Sequence, residues 1–194
     1  NIKKDGLDPK KISTILLTHS HADHAGGASR FKQLYDCKVY ISEVEEDTLN
    51  TGDESKLKLD VAKRSGLYSP DYKFQPCKPS ISIKDGDTIR INNLTFQAIV
   101  VPGHSEGSTC FKVKLPEGLA LFTGDVVFAE GTIGLLNCDG SDLSPYRKNI
   151  HKLSNLNIGL LFPGHYVFVL SNGQKHIDKA VDALKLLGIP KNFI

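Results

Sequence analysis

Short apolar runs separated by polar loops dominate the first third of the chain. Asp8-Pro9 reads as a helix N-cap with Pro at the first helical position, predicting a brief helical turn before the apolar run Ile15-Leu16-Leu17. That run is too short for a helix and reads as a buried strand. Ala28 to Leu34 has helical texture and Lys38 to Ile41 reads as a second short strand, giving a β-loop-α-β start. Ser42-Glu43-Val44-Glu45 has the form of a capping box, and the charged stretch from Glu43 to about Arg64 predicts helix, a break at Thr51-Gly52-Asp53, and helix again.

From Ile81 the texture changes to alternating runs punctuated by Asp85-Gly86, Asn92-Asn93 and Pro116-Glu117-Gly118, which predicts the antiparallel hairpins of a second sheet beginning at that point. Ile99-Val100-Val101, Ala120-Leu121-Phe122 and Leu160-Leu161-Phe162 read as further strands. Pro145-Tyr146-Arg147 opens a helix with Tyr146, Ile150 and Leu153 on one face. A last helix carries Ile177, Ala180, Val181, Leu184 and Leu187 at helical spacing and is expected to stop at Gly188, with Pro190 beyond. Helices packed outside sheets, a layered α/β arrangement, are the expectation.

The length of 194 residues suits one domain spanning 1–194. Composition is that of an ordinary soluble protein: 40% hydrophobic, 24% charged, net charge +2, with no electrostatic demand for nucleic acid or an anionic membrane. No apolar segment reaches bilayer-spanning length and no charged-then-apolar leader opens the chain, so a cytoplasmic location is expected. The four cysteines, Cys37, Cys77, Cys110 and Cys138, include no CxxC pair and read as reduced, structural thiols.

The chemistry concentrates elsewhere. Thr18-His19-Ser20-His21-Ala22-Asp23-His24-Ala25-Gly26-Gly27 sets three imidazoles and a carboxylate in six residues, immediately after an apolar strand. Imidazole and carboxylate are zinc-type donors, and a strand running into a tight loop can aim several of them at one point. His104 in Pro102-Gly103-His104-Ser105, Asp125 in Thr123-Gly124-Asp125 and His165 in Pro163-Gly164-His165 each follow an apolar strand too. That repetition outweighs a chance cluster of histidines in a polar loop.

The order HxHxDH, Gly-His, Gly-Asp, Pro-Gly-His, spanning residue 14 to about 170, is similar to the metallo-β-lactamase superfamily, of the glyoxalase II or lactonase-like metallo-hydrolase type. The resemblance implies an αββα four-layer sandwich. Members begin with several strands ahead of the HxHxDH strand; none precedes Thr14, and there is no Met, so the chain is expected to start inside the domain. Carried over by motif, His19, His21 and His104 form one metal site and Asp23, His24 and His165 a second, with Asp125 bridging. Two divalent ions are implied, zinc foremost, with iron or manganese as substitutes. They would lie roughly 3.5–4 Å apart and hold a hydroxide nucleophile between them. The expected substrate is a small ester, thioester or lactone; neither nucleic acid nor membrane is an expected partner, and oligomeric state is open. Asp23 and Tyr166 are catalytic candidates beside the ligands, Tyr166 as a hydrogen-bond donor to a developing oxyanion or simply as a packed ring.

Departures narrow the field. No Cys replaces a ligand, as it does in many true β-lactamases of the superfamily, and His21 stands where di-iron flavoprotein oxygen reductases carry Glu. Glyoxalase II would continue as Gly-His-Glu-Tyr, whereas Tyr166-Val167-Phe168 follows His165 here. A superfamily nuclease and a mononuclear iron persulfide dioxygenase remain as alternatives; intact Asp23, His24 and His165 speak against the latter. The 42–80 segment is either a substrate-facing wall or a solvated helical pair, and Gly131-Thr132-Ile133-Gly134 either borders the pocket or serves a turn. His151 and His176 read as surface residues.

Overall fold

In the computed structural model, which describes residues 2–193, the chain forms two compact units, Asn1–Ile83 and Lys84–Ile194. The first is built on a three-stranded parallel sheet in the order β1 (Thr14–Leu16), β2 (Lys38–Ser42), β3 (Ile81–Ile83). Parallel neighbours require crossovers, which helices supply. Helices α1 (Ala22–Ala25) and α2 (Ala28–Tyr35) connect β1 to β2, and α3 (Glu46–Thr51) and α4 (Leu59–Arg64) connect β2 to β3. Leu17, Ala25, Val39, Ile41, Leu49, Leu57, Leu59 and Phe74 form this unit's core. Asp8 caps a 3-10 turn over Pro9–Lys11 by accepting from the Lys10 N–H, as its sequence predicts. The break between α3 and α4 also falls where expected: Gly52 ends α3 at φ 69°, a left-handed residue on which a Cβ would lie 2.8 Å from Pro76.

Two expectations fail in this unit. Ile81 does not open the second sheet; Ile81–Ile83 pairs in parallel with Tyr40–Ser42 and completes the first. Alternation identifies a strand but not its neighbour, and the Ser80 N–H bonded to the Val39 carbonyl draws this segment onto the edge of β2. Nor does Ser42-Glu43-Val44-Glu45 act as a capping box. The Ser42 side chain makes no cap hydrogen bond, and Glu45 is buried with its carboxylate accepting from the Ser20 N–H.

The second unit holds a five-stranded sheet, β4 (Thr88–Ile91), β5 (Leu94–Val100), β6 (Thr109–Leu115), β7 (Gly118–Gly124) and β8 (Leu160–Pro163), in sequence order. The first four strands form an antiparallel meander, with β4–β5 and β6–β7 joined at the predicted turns and β5–β6 joined by the 101–108 loop that carries His104, and β8 adds in parallel to β7. It follows that β5, β7 and β8 point the same way and that their C-terminal ends share one edge of the sheet. Helices α5 (Leu143–Asn149) and α6 (Gly173–Lys185) contribute Tyr146, Ile177, Ala180, Val181 and Leu184 to a core with Ile99, Cys110, Leu121 and Leu161.

Helix α5 starts earlier than Pro145, because Asp142 caps it by accepting from the Ser144 N–H. Helix α6 ends at Lys185, and Leu187 is 98% exposed rather than on its apolar face. The cause is Arg147, whose Nη2 donates to the carbonyls of Leu186, Leu187 and Gly188 at 2.9, 3.0 and 2.9 Å and holds the chain in a non-helical course. No helix among the described residues is long and apolar enough to cross a membrane.

Candidate metal centre

In the first unit the ladder of β1 ends with the Leu17 N–H on the Tyr40 carbonyl, and the chain then turns sharply into α1. His21 stands at the N-cap of α1, and the N–H groups of His24 and Ala25 bond back to its carbonyl. The i,i+3 spacing sets His21 and His24 on one side of this turn, and His19, from the loop before it, lies against both. The rings of His19 and His21 lie 4.6 Å apart, edge to face, and those of His19 and His24 lie 4.0 Å apart. His24 Nε2 is 3.4 Å from Asp23 Oδ2. Three imidazoles this close suit neutral rings sharing a cation far better than three imidazolium ions. His19 and His21 are buried, whereas the Asp23 side chain is exposed, so the cluster has a closed end and a solvent-facing end. Gly26 is needed for this close turn: a Cβ there would sit 2.6 Å from the Ala22 carbonyl oxygen and 2.8 Å from the Tyr72 hydroxyl. Burial and the Asp23 carboxylate both push the Tyr68 phenol above its ordinary pKa, which marks an aromatic wall beside the ligand loop.

The second unit reaches a similar donor set by another route. His104, Asp125 and His165 follow the C-terminal ends of β5, β7 and β8, on the shared sheet edge. Asp125 Oδ2 lies 3.5 Å from His104 Nε2 and 3.4 Å from His165 Nε2, placing one carboxylate between two imidazoles. His104 Nδ1 is 2.6 Å from the Gly134 carbonyl oxygen, which can only accept. The ring proton is therefore on Nδ1 and the Nε2 lone pair faces the Asp125 side, the tautomer a metal-ligating histidine needs. The donor set contains imidazole and carboxylate without thiolate, which fits zinc and equally admits iron or manganese.

Tyr146 supports this candidate donor set from outside the motifs. Fully buried, its hydroxyl lies 3.1, 3.3 and 3.4 Å from the carbonyls of Asp125, Val126 and Gly134, so one proton is shared among three acceptors. Its ring packs on Gly103, where a Cβ would come within 2.2 Å. Burial, with the Asp125 charge adding to it, holds the phenol well above its usual pKa, so it remains a donor. The Gly131–Gly134 loop does more than turn: a Cβ on Gly134 would lie 2.3 Å from the Asp125 carbonyl oxygen and 3.0 Å from His104 Nδ1.

Tyr166 sits differently from the ligands. It takes a left-handed φ of 63°, is 72% exposed, and its ring meets Phe128 and Phe193 edge-on at centroid distances of 5.9 Å each. His176 faces Glu130, with Nδ1 accepting the Glu130 N–H at 2.9 Å, and His151 is exposed. Burial raises the thiols of Cys37, Cys77 and Cys110, which keeps them protonated and unreactive. Neither Glu45 nor Tyr146 could be singled out from sequence, since one has the spacing of a helix cap and the other of an apolar helix face.

The chain is similar to several known proteins. It is 28% identical over 172 residues, 89% of its length, to an atrochrysone carboxyl ACP thioesterase of Aspergillus fumigatus. It is 29% identical over 90% of its length to a probable polyketide biosynthesis zinc-dependent hydrolase, BaeB, of Bacillus velezensis, and 30% identical over 84% to the acyl-coenzyme A thioesterase MBLAC2 of Gallus gallus. The chain spans 44%, 63% and 59% of these relatives, respectively. Among solved structures, BJP-1, a subclass B3 metallo-β-lactamase of Bradyrhizobium japonicum, superposes with a TM-score of 0.72 at 23% identity, covering 94% of this chain and 73% of that one. This likeness shows the metallo-β-lactamase fold, an α/β architecture with two sheets. The metallo-β-lactamase superfamily model matches residues 2–165, across all of the ligand motifs, and the chain belongs to that superfamily.

Proposed function

We propose that the chain is the catalytic domain of a metal-dependent hydrolase that cleaves a small acyl substrate, a thioester first and an ester or lactone after it. His19, His21, Asp23, His24, His104, Asp125 and His165 would hold two divalent metal ions, zinc foremost, with Asp125 shared between them. The observation that carries this reading is the Asp125 carboxylate within 3.5 Å of two imidazole nitrogens, one of them locked in the ligand tautomer by the Gly134 carbonyl. Such ions supply Lewis acidity toward a carbonyl and lower the pKa of water enough to make it a nucleophile near neutral pH.

The chain's own residues then have separable tasks. Buried His19, His21, His104 and Asp125 fix the geometry, and the more open Asp23, His24 and His165 leave a side by which substrate can enter. Asp23 takes part at that open side, and exposed Tyr166 acts as an auxiliary donor to the oxyanion. A thioester is favoured because two of the similar proteins are named as thioesterases of acyl-ACP and acyl-CoA substrates.

Metal analysis of zinc-reconstituted protein, paired with a panel of acyl-CoA thioester, ester, lactone, phosphodiester and persulfide substrates, tests this. Two metals per chain and thiol release from an acyl thioester, lost on chelation and restored by zinc, are expected. One metal per chain after saturation would overturn the binuclear reading, and oxygen consumption with a persulfide but no hydrolysis would replace the reaction class.

A further inference from the structure

We infer that Glu45 is a positioning residue for the HxHxDH loop, acting on the metal donors through the Ser20 N–H. Strands β1 and β2 are parallel and in register through Leu16 opposite Tyr40, so their C-terminal ends leave the sheet side by side. One continues as Thr18–His21 and the other as the 3-10 turn Glu43–Glu45. At that junction Glu45 Oε2 accepts the Ser20 N–H at 2.6 Å, across 25 residues of sequence. Both residues are buried, Glu45 to 5% and Ser20 to 2% exposure. Glu is almost never buried this deeply without a strong partner, and a backbone N–H in such a place has no water to turn to. The bond therefore gives the Ser20 peptide its acceptor and the Glu45 carboxylate a donor.

Ser20 lies between His19 and His21, whose rings stand 4.6 Å apart. A charge-assisted hydrogen bond at this peptide is about twice as strong as a neutral one, and it fixes the ψ and φ that set the directions of both side chains. The same bond explains why Glu45 is not available to the helix start that its spacing suggests. Groups that support ligands in this way typically govern metal affinity by about 10–100-fold.

The inference rests on the metal reading above, and zinc itself is the probe. In the full chain, Glu45→Ala is expected to weaken zinc binding by about 10–100-fold in competition with a chromophoric chelator, without change in stoichiometry. Glu45→Gln is expected to fall between wild type and Glu45→Ala, with a loss of about 3–10-fold, because its amide oxygen can accept the same N–H about half as strongly. In zinc-free wild type, the Ser20 amide is expected to be strongly protected from hydrogen exchange. Should both variants fold and bind zinc with wild-type affinity, with only the thermal midpoint of the zinc-free protein lowered, Glu45 is merely structural and the inference fails. A freely exchanging Ser20 amide would overturn it without recourse to any variant. Failure of wild type to bind zinc is a distinct result, overturning the metal reading itself.

Discussion

The first unit carries four of the candidate donors within one six-residue stretch, in the loop and helical turn that follow β1; the second draws three from the ends of three different strands. In the first, local backbone geometry does most of the positioning and one distant carboxylate, that of Glu45, finishes it. In the second, sheet direction, the Gly134 carbonyl and the buried Tyr146 hydroxyl must all agree before His104 and Asp125 come within 3.5 Å. A site of the second kind should be more sensitive to substitutions remote from the donors themselves, because its accuracy depends on packing between elements.

The sharpest effect should come from the shared carboxylate. Asp125→Ala is expected to abolish measurable hydrolysis and lower metal content below two per chain, a larger loss than the ~10–100-fold typical of removing a supporting hydrogen bond. Elemental analysis and turnover on the same preparation would reveal it, and full occupancy with normal turnover would end the bridging role. Next in size is a contrast of glycines. Gly134→Ala drives a Cβ against the Asp125 carbonyl and should cost about 1–3 kcal/mol and weaken zinc binding. Gly27→Ala has open space and a right-handed helical conformation, so it should stay within about 0.5 kcal/mol. Equal costs in urea denaturation would mean that the close approach at Gly134 is not tight.

A pH series probes the same reliance on burial. Fully buried Cys110 has its pKa raised, so the folded state keeps a proton that the unfolded thiol gives up. The associated stability is present below the ordinary thiol pKa of 9.0 and is lost as pH rises toward the folded value. Above pH 9 the loss should approach about 1.4 kcal/mol per pH unit for this thiol, and Cys110→Ala should flatten the slope. A modest stability change is expected of Tyr146→Phe, which keeps the ring on Gly103 and removes one shared hydroxyl, costing about 1 kcal/mol. Its zinc affinity should nevertheless fall about tenfold. Unchanged affinity would mean that Tyr146 only fills space.

What sequence makes legible follows the same division. The Asp8 cap, the Gly52 break, β1, α2 and the β4–β5 and β6–β7 hairpins are written in neighbouring residues and could be read directly. The HxHxDH loop belongs with them. His104, Asp125 and His165 emerge only from the recurrence of strand, then Gly, then donor, reinforced by the family's motif order. What escaped depends on distant partners: β3 needs β2 to define its sheet, the end of α6 is dictated by Arg147, and Glu45 answers a peptide 25 residues away. No local pattern distinguishes Glu45 as cap from Glu45 as anchor, because both place it three residues after a serine at a strand end.

The common direction of β5, β7 and β8 also separates ligand placement from loop length. Only the part of the β7–β8 segment that lies outside the Gly134 and Tyr146 contacts can be lengthened, shortened or replaced while Asp125 and His165 still emerge at the same sheet edge, since strand pairing sets their spacing and those two residues finish their placement. Doubling a flexible connection costs only about 0.6 kcal/mol in closure entropy. Residues 137–140 of that crossover, spanned by the Leu136 N–H···Ser141 hydrogen bond and ahead of the Asp142 cap, therefore give the fold a place to accept new recognition loops, and a designer a place to graft them, without re-solving the geometry of the candidate donors.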